Sequence, residues 1–339
     1  MNIAQTLSLD TVHQGDNRIL LQRVETESIA CSVWSPPYHV GKDYEKDYTY
    51  EQWAELLREV IGAHERILKP GGFLAINIAD ILAFADKNVP RFQAANPNKH
   101  RSSVTTEQVL DAKSAYPDFN RYQLAELLGC SEQTIDRRLN GNNIRGGKYM
   151  SQTRVKEVGG MLEEMAMDVG LYLYDRRIWV KDPAWANSQW HSSSYRAVDE
   201  FEYIYIYWKP GVTVVDRHRL KPQEWTEWGS RAVWNFPSVR TNDDHEAKFP
   251  LELPRRVIRL LTAPGETVLD CFLGSGTTAV AAFLEGRRFV GIELLPQYVA
   301  LARRNIERAR GTLLSIAESK TTQTRPLYTA PLFSESLKK

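Results

Sequence analysis

The sequence contains few cysteines and no long hydrophobic run. Its 339 residues include three cysteines, Cys31, Cys130 and Cys271, whose spacing fits neither a disulfide framework nor a zinc site. No uninterrupted apolar stretch approaches the ~20 residues that a membrane-spanning helix needs. The first residues, MNIAQTLSLD, lack the basic and apolar regions of a secretory signal. These absences predict a protein of the reducing cytoplasm.

A large net charge of either sign is absent as well. Lysine and arginine number 43 and aspartate and glutamate 42, which leaves a net charge of +1. Any binding to an acidic polymer must therefore use local basic patches, because the molecule as a whole exerts little attraction. The content of 42% hydrophobic and 25% charged residues is typical of a globular protein, and the length suits one large domain with an insertion or two domains.

Strand and helix patterns alternate in both the N-terminal and the C-terminal parts of the chain. Apolar residues at helical spacing over 50–68 follow the β-branched run IACSVW at 29–34. Such alternation predicts an α/β fold with a parallel sheet. The expected strands are 19–24, 29–34, 73–78, 267–272 and 288–294, and the expected helices are 50–68, 250–265, 274–286 and 296–310.

Three further regions differ from this alternation. Residues 171–209 are aromatic and β-branched, which predicts antiparallel strands that close the sheet. Residues 80–150 are polar and rich in loops, so we interpret them as an insertion. After residue 316 the chain is rich in Ser, Thr and Lys, and we expect a poorly ordered tail.

The tetrapeptide Ser35-Pro36-Pro37-Tyr38 ends the strand predicted at 29–34. Its two prolines remove two backbone donors and fix φ twice, so the strand stops there. What remains is a stiff loop that holds its carbonyls and the Ser35 and Tyr38 side chains at the carboxyl end of a strand. Taken alone, the tetrapeptide fits a rigid turn as well as a reactive loop.

The stretch LDCFLGSGTT (269–278) joins a predicted strand to a predicted helix through a glycine turn. Glycines at 274 and 276 allow close approach to the backbone, and the start of the helix presents unpaired N–H groups. Glu293, at the end of the next strand, can accept hydrogen bonds from ribose hydroxyls. The dinucleotide fingerprint and a phosphate-loop lysine are both missing. The pattern therefore predicts a nucleoside ligand without a pyrophosphate, the alternative being a tight turn that binds nothing.

Together with ILKPGGFLAINI (67–78) and KFPLELPRRVIRLL (248–261), these motifs resemble those of the amino-group DNA methyltransferases that use S-adenosyl-L-methionine. The catalytic tetrapeptide precedes the cofactor turn, which is similar to the permuted order of the β subgroup. The resemblance covers about 12–80 and 160–310. It implies an α/β, Rossmann-like class I methyltransferase fold with a mixed, mostly parallel sheet, here with a helical insertion.

The resemblance also implies roles for particular residues. Glu293 would hold the ribose hydroxyls and Asp16 would contact the adenine, while Cys271 stands where the family often has proline. The residues expected to bind the cofactor are Asp16, Phe249, Pro250, Asp270, Phe272, Gly274, Ser275, Gly276, Thr277 and Glu293.

The catalytic residues implied by the resemblance are Ser35, Pro36, Pro37 and Tyr38. The Ser35 hydroxyl and the Pro36 carbonyl can accept hydrogen bonds from an exocyclic amino group, and Tyr38 can stack on a base flipped out of the duplex. Serine at this position is associated mainly with N4-cytosine and aspartate with N6-adenine, so we expect cytosine, with adenine as the alternative. No histidine or acid accompanies Ser35 as in a covalent nucleophile, and no cysteine follows a proline as in the methylation of cytosine carbon.

The insertion contains NRYQLAELLGCSEQTIDRRLNG (120–141), whose spacing resembles the helix-turn-helix of bacterial repressors. Ser131 is placed to cap the second helix. That helix would present Gln133, Thr134, Arg137 and Arg138 to a DNA groove. The alternative is a pair of helices used only for packing. Residues 211–245, rich in Arg, Lys and Trp, form a second candidate for target recognition.

The sequence therefore predicts a site-specific DNA methyltransferase of a restriction–modification or related system. Its expected partners are double-stranded DNA and a cognate restriction endonuclease, and no metal is expected. Alternatives are an RNA methyltransferase and a DNA-binding regulator with an inactive methyltransferase fold. The predicted divisions are a catalytic half at 1–80, a helical insertion at 81–155, the rest of the catalytic half at 156–210, a recognition segment at 211–245, a cofactor-binding half at 246–315 and a flexible tail at 316–339.

Overall fold

The computed structural model describes residues 5–38, 49–84, 86, 88–89, 102–140, 154–183, 197, 199–239 and 249–323. The strands are β1 (Thr11–Gln14), β2 (Ile29–Trp34), β3 (Leu68–Ile78), β4 (Ile81–Phe84), β5 (Arg154–Lys156), β6 (Tyr172–Val180), β7 (Phe201–Trp208), β8 (Val233–Asn235), β9 (Thr267–Asp270) and β10 (Arg288–Glu293). The helices are α1 (Asn17–Leu20), α2 (Tyr50–Ile67), α3 (Thr106–Ala115), α4 (Arg121–Leu127), α5 (Glu132–Asn140), α6 (Gly159–Asp168), α7 (Pro222–Glu224), α8 (Glu252–Leu261), α9 (Thr277–Leu284) and α10 (Pro296–Gln323).

Eight of these strands form one sheet in the order β1-β10-β9-β2-β3-β7-β6-β8. The pairings from β1 to β3 are all parallel, β7 is antiparallel to both β3 and β6, and β8 is parallel to β6. Within this sheet only β7 is reversed, which confirms the predicted mixed, mostly parallel arrangement. The chain proceeds from β2 to β3 on one side and from β9 to β10 on the other, so the order reverses between β2 and β9. In open α/β sheets such a switch point leaves a crevice at the carboxyl ends of the strands, where ligands bind.

Helices cover both faces of the sheet. Trp53 of α2 and Leu162 of α6 belong to one buried core, and Val257 of α8 and Ala302 of α10 belong to the other. The predicted α/β architecture is thereby confirmed as three layers, with the sheet in the middle.

Helix α2 agrees closely with the helix predicted at 50–68. The Thr49 hydroxyl accepts from the backbone N–H of Gln52, whose side chain accepts in return from the backbone N–H of Thr49, so the first turn is capped in both directions. The KPGG sequence after the helix does not form a separate turn but lies inside β3. Gly71 there has φ of +79°, and a Cβ atom would come within 2.3 Å of the Val212 carbonyl oxygen. This position therefore requires glycine.

The strand predicted at 19–24 is wrong. These residues form the end of α1 and a 3-10 turn, because the Asp16 carboxylate accepts from the backbone N–H of Arg18 and starts a helix. Leu20, Leu21 and Val24 are buried at helical spacing. The first strand is instead β1, which the sequence patterns did not indicate.

The antiparallel strands predicted within 171–209 are confirmed as β6 and β7. Their register pairs Trp179 with Glu202 and Ile204 with Arg177. Since β7 is reversed, its first residues lie at the same edge of the sheet as the carboxyl ends of β2, β3 and β6.

The predicted insertion leaves and re-enters the main body through a two-stranded antiparallel stem of β4 and β5. An ion pair of 2.8 Å between Arg154 Nε and Asp86 Oδ2 closes the stem. Beyond it, α3, α4 and α5 pack around their own small core of buried residues, including Val109, Leu124 and Ile135. Gly129, with φ of +60°, turns the chain between α4 and α5, so the predicted helix pair is confirmed.

Two further predictions are modified by the structure. In the segment predicted at 211–245, Trp228 and Trp234 are buried in the core beside β6, so these aromatic side chains serve packing rather than contact with DNA, and residues 240–248 lie outside the described residues. Helix α10 continues to Gln323, into the region expected to be a tail after residue 316, and residues from 324 onward are again outside the described part.

None of the helices in the described ranges is long and apolar enough to cross a membrane.

Candidate active site

The two predicted site loops emerge side by side at the switch point of the sheet. Strands β2 and β9 are direct neighbours, with Ser32 opposite Leu269, so the loops that follow them begin together. The indole of Trp34, the residue before Ser35, lies 5.2 Å from the ring of Phe272, measured between centroids. The structure thus places the end of β2, which leads into the predicted catalytic tetrapeptide, in contact with the predicted cofactor turn, although they are far apart in the chain.

Glu293 lies at the end of β10, next to the cofactor turn. One of its oxygens accepts from the backbone N–H of Gly274 at 2.8 Å, and the other accepts from the N–H of Leu295 at 2.8 Å. Burial raises the pKa of this carboxyl, and the two N–H groups oppose the rise. A carboxylate has about four acceptor positions, so roughly two remain for donors of a ligand.

Asp270 ends the neighbouring strand β9 and is 2% exposed. The backbone N–H of Phe272 donates to its Oδ1 at 2.9 Å. Burial raises the pKa of Asp270 to about 7. Asp270 and Glu293 are therefore two buried acid groups on adjacent strands, at the place where the sequence predicted the cofactor.

The requirement for glycine at position 276 has a structural reason that the sequence did not indicate. Gly276 has φ of +88° and precedes α9, and a Cβ atom there would lie 2.9 Å from the Cβ of Ala302 in α10. The close approach that requires glycine is therefore made by α10. The side chain of Asn305, also in α10, donates to the Ser275 carbonyl at 2.9 Å and holds the turn in place.

The other predicted cofactor residues have the following surroundings. Gly15 and Asn17, which flank Asp16, donate to the carbonyls of Glu293 and Cys271 at 3.0 Å each, so Asp16 lies beside both cofactor strands. The Asp16 carboxylate is itself paired with Arg18, whose hydrogen bond lowers the pKa of Asp16. Phe249 packs against the buried core that includes Leu253 and Val257 of α8, the Pro250 carbonyl accepts from the N–H of Leu253, and Thr277 begins α9.

These residues fit S-adenosyl-L-methionine. The cofactor carries a cationic amino group and ribose hydroxyls, which are donors, and the site offers two buried carboxylates with acceptor positions to spare. Its backbone supplies N–H groups at a helix start and no lysine for phosphate. Within the described residues no group of three or more His, Cys, Asp or Glu is arranged to hold a metal ion.

The catalytic tetrapeptide is held by hydrogen bonds that the sequence did not reveal. The indole N–H of Trp53 donates to the Pro37 carbonyl at 2.6 Å, which clamps the loop onto α2. Ser35 Oγ donates to the Tyr38 hydroxyl at 2.9 Å, and the Tyr38 hydroxyl donates to Glu202 Oε2 at 2.8 Å. The Asn77 carbonyl lies farther from that hydroxyl, at 3.3 Å.

Glu202 is the end of this series and is nearly buried, at 8% exposure. Its other oxygen accepts from Lys181 Nζ at 2.6 Å, and Asp199 Oδ2 lies 3.7 Å from the same ammonium. A sequence signal existed, because Glu202 shares the face of β7 that buries Ile204 and Ile206. A carboxylate at a core-facing strand position needs a partner, which makes it a candidate functional residue.

A buried polar cluster supports the loop from below. Ser32 and Trp34 of β2 approach the Nε2 atom of His64 at 2.8 and 3.4 Å, and His64 Nδ1 donates to the Val60 carbonyl at 2.7 Å. Burial lowers the pKa of His64 to about 4, so the imidazole is neutral at physiological pH. This histidine is a structural support beneath the site.

The predicted DNA-binding residues lie on α5, within the three-helix unit of the insertion. Gln133 and Arg137 are exposed. The backbone N–H of Thr134 donates to the Ser131 hydroxyl at 3.3 Å, as expected of a cap, and Arg138 Nε donates to the Val104 carbonyl at 3.1 Å. Arg138 therefore also serves the packing of the insertion.

The reversed seventh strand, the switch-point crevice and the two acceptor-rich loops define a Rossmann-like methyltransferase fold. The chain belongs to the family described as DNA methylase, of the N6/N4 amino-group type, which matches residues 29–304. This confirms the resemblance found in the sequence, the DNA substrate and S-adenosyl-L-methionine as the methyl donor. The chain is an amino-group DNA methyltransferase.

Individual relatives agree with this assignment. The type II methyltransferase M.BglI of Bacillus subtilis is 63% identical over 307 residues, which cover 91% of this chain and 88% of that protein. The crystal structure of TTHA0409 from Thermus thermophilus, complexed with S-adenosyl-L-methionine, is 25% identical with a TM-score of 0.58, covering 88% of this chain and 93% of that one. The PvuII DNA methyltransferase (cytosine-N4-specific) has a TM-score of 0.59 at 18% identity, covering 92% and 95%, and so shows likeness of fold.

Proposed function

We propose that the chain methylates the N4 amino group of cytosine in double-stranded DNA, as the modification enzyme of a type II restriction–modification system. The observation that carries the choice of base is Ser35, a neutral hydroxyl, at the first position of the catalytic loop. The similarity to M.BglI, which is named a type II methyltransferase, supports the system and implies a partner endonuclease with the same target.

The chemistry follows from the properties of the amino group. Its lone pair is delocalised into the ring of the base, so it is a poor nucleophile. Two acceptors, Ser35 Oγ and the Pro36 carbonyl, draw its N–H bonds towards tetrahedral geometry and localise the lone pair. The two prolines and the clamp from Trp53 to Pro37 hold these acceptors in advance, as preorganised polar catalysis requires.

The donor and the base meet above the switch point. When bound, S-adenosyl-L-methionine supplies an electrophilic methyl group attached to a sulfonium. Asp270, Glu293 and the turn at 272–277 hold it, with Asp16, Phe249 and Pro250 at its edges. Proximity of donor and amino group then supplies much of the acceleration. A base inside a duplex cannot reach the crevice, so it is flipped out and stacks on Tyr38.

The insertion is proposed to bind the DNA target. Its α4 and α5 are joined through Gly129 and share a core, and α5 exposes Gln133 and Arg137, residue types that contact base edges and phosphates. Thr134 and Arg138 lie on the same helix. We propose that α5 enters the major groove and sets which cytosine reaches the crevice.

The test is to identify the methylated nucleoside. DNA from a host without methylation is incubated with the chain and S-adenosyl-L-methionine carrying a labelled methyl group, digested to nucleosides, and separated by chromatography with mass detection. We expect N4-methyldeoxycytidine. The control is Ser35→Ala, which should bind the cofactor as well as the wild type and transfer methyl groups about 100-fold more slowly.

Other products would change the assignment. N6-methyldeoxyadenosine would replace cytosine by adenine, the other base of the family. Label in RNA but not in DNA would contradict the DNA target. Tight binding to DNA with no methylated product would identify a regulator with an inactive fold.

A further inference from the structure

A continuous series of hydrogen bonds connects Ser35 to a buried ion pair on the far strands of the sheet. Ser35 Oγ donates to Tyr38 at 2.9 Å, Tyr38 donates to Glu202 at 2.8 Å, and Lys181 donates to the other Glu202 oxygen at 2.6 Å. The side chains of Lys181 and Glu202 are 15% and 10% exposed, so the pair is largely removed from water. Its components come from three separate parts of the chain.

The direction of this series is fixed from its Glu202 end. An ionised carboxylate can only accept, so Tyr38 must give it its proton. The Tyr38 oxygen then accepts, and Ser35 donates to it. The lone pairs of Ser35 Oγ are left to face the amino group of the base. Without this constraint a serine hydroxyl could instead donate to the lone pair of the amino nitrogen, which would block attack on the methyl group.

We propose that Glu202, held by Lys181, sets the direction of the Ser35 hydrogen bond and takes up the proton that the amino group releases. Glu202 is thus a positioning residue that acts through Tyr38 and Ser35. The inference rests on the proposed amino-methyl transfer but not on which base receives the methyl group.

The proton balance is complete within the chain. The nitrogen lone pair forms the new N–CH₃ bond, and the electron pair of the broken S–CH₃ bond stays on sulfur. The nitrogen, now positively charged, loses a proton to Ser35 Oγ, and the electrons of that N–H bond return to nitrogen. Ser35 passes its own proton to Tyr38, Tyr38 passes its proton to Glu202, and Glu202 becomes a neutral carboxylic acid.

A second carboxyl group lies beside the ion pair of Glu202 and Lys181. Asp199 lies 3.7 Å from Lys181 Nζ, so two carboxyl groups share one ammonium. Burial raises the pKa of Asp199, Lys181 lowers it and the charge of Glu202 raises it again. Two carboxyl groups and one ammonium leave one negative charge in excess, which a transferred proton would neutralise. After the transfer, Asp199 remains as a counter-ion for Lys181.

The test is a double-mutant cycle on Tyr38→Phe and Glu202→Gln. Each single variant and the double variant are mixed with DNA and bound, labelled S-adenosyl-L-methionine, and the single-turnover rate of transfer is measured. We expect each single variant to be about 10- to 100-fold slower, and the double variant to be no slower than the slower single one. Glu202→Asp, which keeps the acid, should recover part of the rate.

The matched control is Glu285→Gln. Glu285 is 13% exposed and pairs with Arg255 at 2.6 Å and Arg259 at 3.5 Å, but it lies at the end of α9, at the opposite edge of the sheet. It should lose stability with an unchanged single-turnover rate. Urea unfolding of the Tyr38 and Glu202 variants provides a readout independent of activity, because a direct hydrogen bond makes their losses of stability non-additive.

Clear outcomes would overturn the proposal. If Glu202→Gln transfers at the wild-type rate, or if the losses in rate multiply in the double variant, Glu202 only stabilises the edge of β6 and β7. If Glu202→Gln does not fold, an unchanged rate of Tyr38→Phe alone overturns it. The nucleoside formed by the wild type is identified in the same reactions, so adenine as the product would reject the assigned base and leave the cycle interpretable.

Discussion

Asp270 and Glu293 place two acid groups in the interior, and no cation within the described part of the chain forms an ion pair with either of them. Among the ion pairs of the described residues neither appears, whereas other buried acids such as Glu202 and Glu285 are paired with lysine or arginine. A buried carboxylate without a cation costs stability unless it is neutralised or hydrogen-bonded. The two residues therefore lower the stability of the folded chain compared with apolar residues at the same positions. In return, their carboxyl groups can bind a ligand that carries a cation and hydroxyl groups.

The raised pKa of Asp270 leads to a prediction about stability and pH. In the folded chain its pKa is about 7, against 3.8 for the ordinary side chain. The folded state holds a proton that the unfolded chain has already released, so this stabilisation is present below about pH 4 and is lost as the pH rises through 7. Asp270→Asn removes this dependence. At pH 8, without cofactor, we expect the variant to exceed the wild type in free energy of unfolding by about 1–4 kcal/mol, while it binds S-adenosyl-L-methionine more weakly.

Urea unfolding at pH 5.5 and pH 8 provides the measurement, with cofactor titration in parallel. Asp118→Asn is the control, since Asp118 is exposed in the turn between α3 and α4 and should change neither property. Equal pH dependence of the wild type and Asp270→Asn would show that Asp270 is ionised in the folded state.

Site residues that belong to recognisable motifs could be located from the sequence. The side chains that form hydrogen bonds with them could not. Ser35 follows one predicted strand, and Asp270 and Glu293 lie near the ends of two others, so their place at the carboxyl edge followed from the parallel order. Trp53 and Glu202 both bind the same loop. The core-facing position of Glu202 marks it as a candidate, but neither the helix pattern nor the strand pattern identifies the partner of either side chain. Which side chains meet depends on how the helices and strands are placed against one another, and the pattern within one element does not specify that placement.

At the scale of elements, prediction succeeded where periodicity was long. Helix α2 and the β9-α9-β10 unit have many apolar positions in phase, and both were located within a few residues. The stretch 19–24 failed because it is short and apolar, a case in which strand and helix look alike. There the deciding interaction is the hydrogen bond from the backbone N–H of Arg18 to the Asp16 carboxylate, which caps a helix although the residues that follow include β-branched types typical of strands.

Helix α5 gives a prediction at this scale, because one face is tied to its neighbours and the other is not. Glu132 and Asp136 pair with Arg121 of α4 at 3.6 and 2.8 Å, while Arg137 is exposed. If α5 lies against DNA, Arg137→Ala should weaken DNA binding by about 1–3 kcal/mol and leave cofactor affinity unchanged. If Arg137 contacts a phosphate, the variant should also release about one counterion fewer on binding, so the plot of log binding constant against log salt concentration should be less steep by about one.

Fluorescence anisotropy with a duplex at several salt concentrations measures both effects. Arg308→Ala on α10 is the matched control, since it removes the same charge from an exposed position away from the insertion. A similar loss of affinity in the two variants would mean that only total charge matters. No loss in Arg137→Ala would support a helix pair used for packing.

At the scale of the whole molecule, the insertion is a unit apart from the sheet that carries the candidate active site. The catalytic loop and the cofactor turn depend on one sheet with two helical layers, whose cores contain no residue of α3, α4 or α5. The insertion has its own core, and the stem of β4 and β5 connects the two parts. Because the two loops follow the neighbouring strands β2 and β9, we expect changes in the insertion to leave both loops in place.

This separation predicts the outcome of excising the insertion. Replacing residues 87–153 by a short Gly/Ser linker keeps Asp86 and Arg154, whose ion pair closes the stem. We expect the shortened chain to fold and to bind S-adenosyl-L-methionine within about two-fold of the wild type, because loops at such exposed stems tolerate replacement. Its affinity for duplex DNA should fall at least about 10-fold, with methylation falling in parallel.

Ile135→Asp, which disrupts only the small core around Val109 and Leu124, should reproduce this pattern in the full-length chain. Isothermal titration of the cofactor and anisotropy with DNA distinguish the two properties. Loss of cofactor binding in both variants would show instead that the insertion is an integral part of the catalytic core.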